Sequence, residues 1–230
     1  MMKHLTRMTV FGLLMTGCSW FTTTWQQLQQ AELVMEASPD SAWILLEQIP
    51  ASQLTSEREL AVYHLLTTQA KYKLYKPISS SDNLNQSIRY FDKTGDNHHL
   101  AMAYYYKGVV DYDLQLREEA VVSLKRAEEL AEDAGDELLN NKIDEELHHV
   151  NLHAENFQLA LSYAKRFLQS SIALGDSQLI CRAYDDIALD FSRLYMPDST
   201  RLYREKCLSL MRQMNTQDPY FFANYANDLI

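Results

Sequence analysis

His149 and His153 stand four residues apart, with Glu145 one turn earlier, in a stretch of helical periodicity. That spacing puts all three on one helix face, the arrangement of a two-point metal grip with a third ligand in reach. A zinc-protease helix also places a Glu between its histidines, and here Val150, Asn151 and Leu152 lie between them. The pair therefore reads as groove or surface histidines, and no metal ligand is assigned. Carboxylates occur in runs, as in Glu118-Glu119, Glu132-Asp133 and Asp144-Glu145-Glu146. On amphipathic helices such runs are solvated faces, not paired catalytic acids. No Gly-x-Ser-x-Gly elbow, phosphate loop or dinucleotide fingerprint occurs in the 230 residues. The expectation is a binding protein and not an enzyme, with no catalytic residue and no cofactor.

Composition narrows the partners. Lys and Arg number 21 against 31 Asp and Glu, a net charge of −10. That is the wrong sign for general binding of nucleic acid or anionic lipid surfaces. Hydrophobic residues at 47% suffice for a packed core, and six Gly among 230 residues argue against turn-rich β folds.

The elements that must carry these side chains follow from punctuation. Gly95-Asp96, Gly135-Asp136 and Gly175-Asp176 recur forty residues apart. Gly takes the left-handed position that stops a helix, and Asp caps the next one. Between these marks the apolar residues fall into two helical stripes, Leu100 to Tyr112 and Ala120 to Ala131 in the 97–134 unit. Gly108, Ala120 and Ala127 are small residues at offsets 0, 12 and 19, where two antiparallel helices approach closely. The equivalents are His148, Ala160 and Phe167 in the next unit, then Ala188, Thr200 and Cys207. Earlier units offer Thr68, Ser80 and Ser87, and Ala42. Pro39-Asp40-Ser41 and Pro197-Asp198-Ser199 each open a second helix, with Asp or Ser as cap.

The offsets resemble the small positions of the tetratricopeptide repeat, and residues 39–49, 60–75, 88–96 and 101–110 are similar to segments of lipid-anchored repeat proteins of the Bacteroidota. The resemblance implies an all-α, right-handed α-solenoid of about five antiparallel helix pairs, at roughly 25–50, 55–94, 97–134, 137–174 and 177–215, with a final helix at 219–230. The period exceeds the family's usual length of about 34 residues, and the extra residues are expected in the turns. First helices would line a concave groove. By the family's phasing that groove shows Leu65, Gln69, Tyr72 and Lys73; Tyr105, Val109, Tyr112 and Asp113; Glu145, His149, Leu152 and His153; and Asp185, Leu189, Ser192 and Arg193. Aromatic rings beside scattered charges suit an extended peptide or helix of a protein partner. A carbohydrate- or nutrient-binding lipoprotein and a sensory module are the alternatives.

The chain opens with Lys3 and Arg7, then a short apolar run, then Met15-Thr16-Gly17-Cys18. This is the order of a secretory leader, and its end resembles a lipobox with Cys18 as the acylated residue. The expectation is a signal peptide at 1–17 and a lipidated tether at 18–24, with membrane attachment through the lipid alone. Ser19 and the lack of acidic residues after the cysteine favour the outer membrane and its periplasmic face. Cys181 and Cys207 fall on successive helices in a compartment that permits pairing, and the simpler reading keeps both as small apolar fillers. Cys18→Ala is expected to move the protein from the membrane to the soluble fraction of fractionated cells; retention in the membrane would refute the leader reading.

Overall fold

The computed structural model describes residues 23–214, and all regular structure among them is helical. The leader, Cys18 and the helix expected at 219–230 lie outside the described residues. Ten α-helices form five antiparallel pairs: α1 (Thr24–Val34) with α2 (Pro39–Glu47), α3 (Glu57–Lys73) with α4 (Asp82–Thr94), α5 (Asn97–Asp113) with α6 (Arg117–Ala134), α7 (Glu137–His153) with α8 (Phe157–Leu174), and α9 (Ser177–Arg193) with α10 (Pro197–Met214). The first helices α1, α3, α5 and α7 pack side by side in that order. This is a tetratricopeptide-like α-solenoid.

Helix stops set the phase. Gly95, Gly135 and Gly175 end α4, α6 and α8 with φ of 72°, 65° and 69°. The following Asp96, Asp136 and Asp176 donate their backbone N–H to Phe91, Ala131 and Ser171 carbonyls at 3.0, 3.0 and 3.3 Å. Their carboxylates accept from the backbone N–H of His99, Leu139 and Leu179, capping α5, α7 and α9. The stop and the start thus share two residues. The turns inside the pairs repeat the device without glycine: Tyr75, Gln115, Glu155 and Tyr195 all have positive φ, between 51° and 65°. They too are spaced by forty residues.

The extra length does not lie in the turns. First helices from α3 onward have 17 residues and α6, α8 and α10 have 18, joined by connections of three and two residues. The added residues lengthen the helices, because each long helix buries another turn of apolar face against its neighbours. The second pair departs from the pattern. Its α4 begins at Asp82, and the buried small residue is Ser81, whose hydroxyl bonds Asp111, while Ser80 is exposed. Pro39 and Pro197 open α2 and α10, but Ser38 caps α2 without a side-chain bond and Asp40 sits in its first turn.

Small residues stand where α5 meets α6. A Cβ on Gly108 would lie 2.6 Å from Leu124 Cγ and 3.2 Å from the Ala120 carbonyl oxygen. Ala42, Ala120, Ala127, Ala160, Ala188 and Cys207 are fully buried. One apolar core runs from Leu28 through Tyr163, whereas the last pair holds only small separate clusters. There the structure corrects the reading of the cysteines as unpaired fillers: Cys181 and Cys207 form a disulfide between α9 and α10, with Cα atoms 4.9 Å apart. Closing a loop of this size stabilises by about 3 kcal/mol. The bond supplements a pair whose own core is thin.

Ala127→Leu and Gly108→Ala are each expected to overpack the α5–α6 contact and lower stability by about 1–3 kcal/mol, the second despite its gain in helix propensity. Gly135→Ala meets no atom within 4 Å; it should lose about 1 kcal/mol from the backbone alone. Thermal melts unchanged in all three would refute this packing scheme.

Candidate functional site

Because α3, α5, α7 and α9 start at one phase, their equivalent residues point the same way. Tyr72, Lys73, Tyr105, Tyr112, Asp113, Glu145, His149 and His153 line a single cleft of about 630 Å³, together with Leu152. Four residues expected there do not take part: Asp185, Leu189, Ser192 and Arg193 lie on α9, off this cleft, which α9 enters only through Arg182. Leu65, Gln69 and Val109 also fail to face it: all three are buried, since the inner face of the second and third pairs closes over them.

The cleft has four residues outside the expected set, Tyr106, Lys142, Glu146 and Arg182. They occupy two register positions, 142 with 182 and 106 with 146, each one turn toward the helix start from an expected position. A groove-facing stripe widened by one i−3 neighbour would have included them.

The curvature is tight enough for distant repeats to touch. Tyr72 on α3 donates its hydroxyl to Glu146 on α7 at 2.9 Å. Glu36, in the turn after α1, accepts from Lys73 at 2.9 Å and from Lys142 at 3.0 Å. Gln69 donates to the same carboxylate at 3.1 Å. Glu36 therefore ties the first pair to both α3 and α7. Tyr112 and His153 stack with ring centroids 6.0 Å apart, and the Tyr112 hydroxyl contacts His153 Nδ1. His153 is thus engaged with α5 and does not join His149 in a grip. Tyr105 and Tyr106 meet edge to face at 4.9 Å, and Tyr72 meets Tyr106 likewise at 5.9 Å.

Burial dominates the electrostatics. The Glu146 carboxyl is raised to about 7, first by burial and then by Glu145 and Asp113, against the Tyr72 hydrogen bond. His149 is lowered to about 4, by burial and then by repulsion from His148, His153 and Arg182, so its ring is neutral. Burial also pushes Glu36 up, but Lys73 and Lys142 outweigh it and hold that carboxyl below the ordinary range. Arg182 donates to Glu145 at 2.6 Å. The cations of the cleft are therefore spoken for, and its lining is aromatic, polar and nearly charge-balanced. On the other side of α7, Arg166 is shared by Glu128, Glu132 and Asp144 at 2.6, 2.7 and 3.0 Å. Burial, helped by the nearby Glu128 and Glu132 charges, outweighs Arg166 and raises Asp144 to about 7.

No family model matches this chain, and no curated protein matches it. Solved structures do resemble it. The crystal structure of MamA protein is 17% identical, covers 85% of this chain and 96% of its own, and superposes with a TM-score of 0.56. BtubC from P. vanneervenii is 11% identical over 85% of this chain and 82% of its own, with a TM-score of 0.65. Aspartyl phosphate phosphatase F from Bacillus subtilis is 15% identical with a TM-score of 0.68; the match covers 89% of this chain but only 54% of the phosphatase. At these identities the likeness shows the fold, a helical-repeat solenoid.

A carboxyl whose folded pKa is raised contributes stability below its unfolded value, and that contribution is lost as pH rises through the folded value. The melting temperature is therefore expected to fall between about pH 4 and about pH 7, and Asp144→Asn, which keeps the neutral shape at every pH, should flatten the fall. A profile that Asp144→Asn leaves unchanged would show that Arg166 keeps Asp144 ionised.

Proposed function

We propose that the protein is a lipid-anchored scaffold of the cell envelope whose cleft holds an extended peptide segment of another protein. The observation that carries this reading is the cleft itself, where residues from α3, α5, α7 and α9 converge with aromatic rings below and hydrogen-bonding groups around them. Peptide amides suit such a lining, because they need both donors and acceptors and carry no net charge. The paired charges lower the demand for a charged ligand. A sugar would need open ring faces for stacking, but Tyr105 and Tyr106 are only 4% and 2% exposed and Tyr112 has one face stacked on His153. The peptide reading is favoured for that reason over carbohydrate binding. The role proposed is binding and not catalysis.

Anchoring rests on the leader and Cys18. No helix among the described residues is long and apolar enough to cross a membrane. The Cys181–Cys207 disulfide supports an exported location, because such bonds persist in oxidising compartments. The outer membrane, on its periplasmic side, is the proposed site.

The test is recovery of partners from detergent-solubilised envelopes. Tyr112→Ala removes a half-covered ring of the type that dominates interface energies and should reduce recovery of the specific partner about tenfold or more. Val122→Ala, at a residue 70% exposed on α6, should leave recovery unchanged. Equal recovery in both variants would overturn the cleft as the binding site.

A further inference from the structure

Behind the cleft wall, α7 and α9 enclose polar side chains that the fold leaves without hydrogen bonds. His148 occupies the register position held by Thr68, Gly108 and Ala188 in the neighbouring repeats, so packing alone asks for a small residue there. Its imidazole is fully buried, and its ring nitrogens face only aspartate oxygens, without a well-aligned hydrogen bond. Nδ1 lies 3.8 Å from Asp186 Oδ2, and Nε2 lies 3.2 Å from Asp190 Oδ2. Asp190 is also fully buried with both carboxylate oxygens unbonded, as is Asp186 Oδ2. The neighbouring His149 ring stands with its centroid 5.2 Å from that of His148. One donor atom each from His148, His149 and Asp186 falls within 4.8 Å of the others.

Each such buried group without a partner costs about 1–3 kcal/mol, and more when charged. The other histidine cluster shows what a completed arrangement looks like. His99 bonds Glu32 at 2.6 Å through Nε2 and Asp96 at 2.8 Å through Nδ1, and both ring nitrogens are used. His148 meets its carboxylates at longer range, 3.8 and 3.2 Å, and without such alignment. The surrounding charge is negative: Asp185, Asp186, Asp190 and Glu145 act on this spot, and Arg182 is committed to Glu145.

We propose that His148, His149 and Asp186 bind a divalent transition-metal ion of the zinc class, with Asp190 as the positioning residue behind His148. Two imidazoles and one carboxylate are the donor set such ions prefer. Asp190 faces Nε2 and would accept a hydrogen bond from its N–H, fixing the tautomer that leaves the Nδ1 lone pair for the metal; carboxylates behind metal-bound histidines act in this way. His149 also lines the cleft, so ions enter from there and the remaining coordination position opens toward the bound segment. The site needs no partner to form, so its test is independent of the peptide-binding reading.

The test uses the full-length protein in detergent, stripped with a chelator and titrated with zinc chloride against a chromogenic competitor. A parallel titration with cobalt reads the absorption bands of a low-symmetry site. One zinc per chain and a raised melting temperature are expected. His149→Ala and Asp186→Asn should each weaken zinc binding at least about tenfold and abolish the cobalt bands, while Asp190→Asn weakens it by about tenfold or more and keeps one ion per chain. His149 is partly exposed, so its variant is expected to fold, and far-ultraviolet circular dichroism checks this. No saturable zinc binding, or binding in His149→Ala and Asp186→Asn as strong as in the unaltered protein, would overturn the site and leave an adventitious surface ion only.

Discussion

Successive helix ends from the second pair to the last are made by a residue in the left-handed conformation, and stops of one kind recur every forty residues. A helix turns by a fixed angle per residue, so equal spacing of stops gives equal rotational phase to equivalent helices. Tyr72 and Tyr112 face one direction for this reason, and so do Tyr106, Glu146 and Asp186. Without that lock the same residues would scatter around the helix axes. The cleft is a consequence of backbone timing before it is one of side-chain chemistry.

Timing alone would give an open trough. Charge ties its walls together. Glu36 reaches Lys73 and Lys142 across the inner face, and Tyr72 reaches Glu146 across two repeats. Partly covered ion pairs of this kind contribute little net stability, but they specify which surfaces meet. The same helix α7 supplies Lys142, Glu146 and His149 to the cleft and Asp144 to the Arg166 hub behind it. It is the most heavily charged wall of the inner face and the one whose protonation is most tied to burial.

The last pair is held differently from the rest. The continuous core ends before α9, and a disulfide joins α9 to α10 where apolar contact is sparse. The junction between α7 and α9 is also where the unbonded His148, Asp186 and Asp190 gather. Two departures from plain repeat packing thus fall on neighbouring interfaces. Both concern groups that a small apolar residue would have replaced if packing were the only requirement.

Glycine and aspartate announced the stops at 95, 135 and 175, because a left-handed residue followed by a cap has few chemical solutions. The stops at 75, 115, 155 and 195 were invisible, since Tyr, Gln, Glu and Tyr share no type and are forced into positive φ by the helices on either side. Small residues at 108, 120 and 127 disclosed the close helix contact for a similar reason: only they fit. Most of the cleft followed from register, but its width did not: Tyr106, Lys142, Glu146 and Arg182 lie one turn beyond the expected stripe and join the lining. The Cys181–Cys207 bond, the Glu36 clamp and the partners of His148 join residues 26 to 106 positions apart. Local sequence fixes where helices begin, end and bury themselves. Which far-apart side chains then touch depends on how the stack bends, and that is decided by all the packed faces at once.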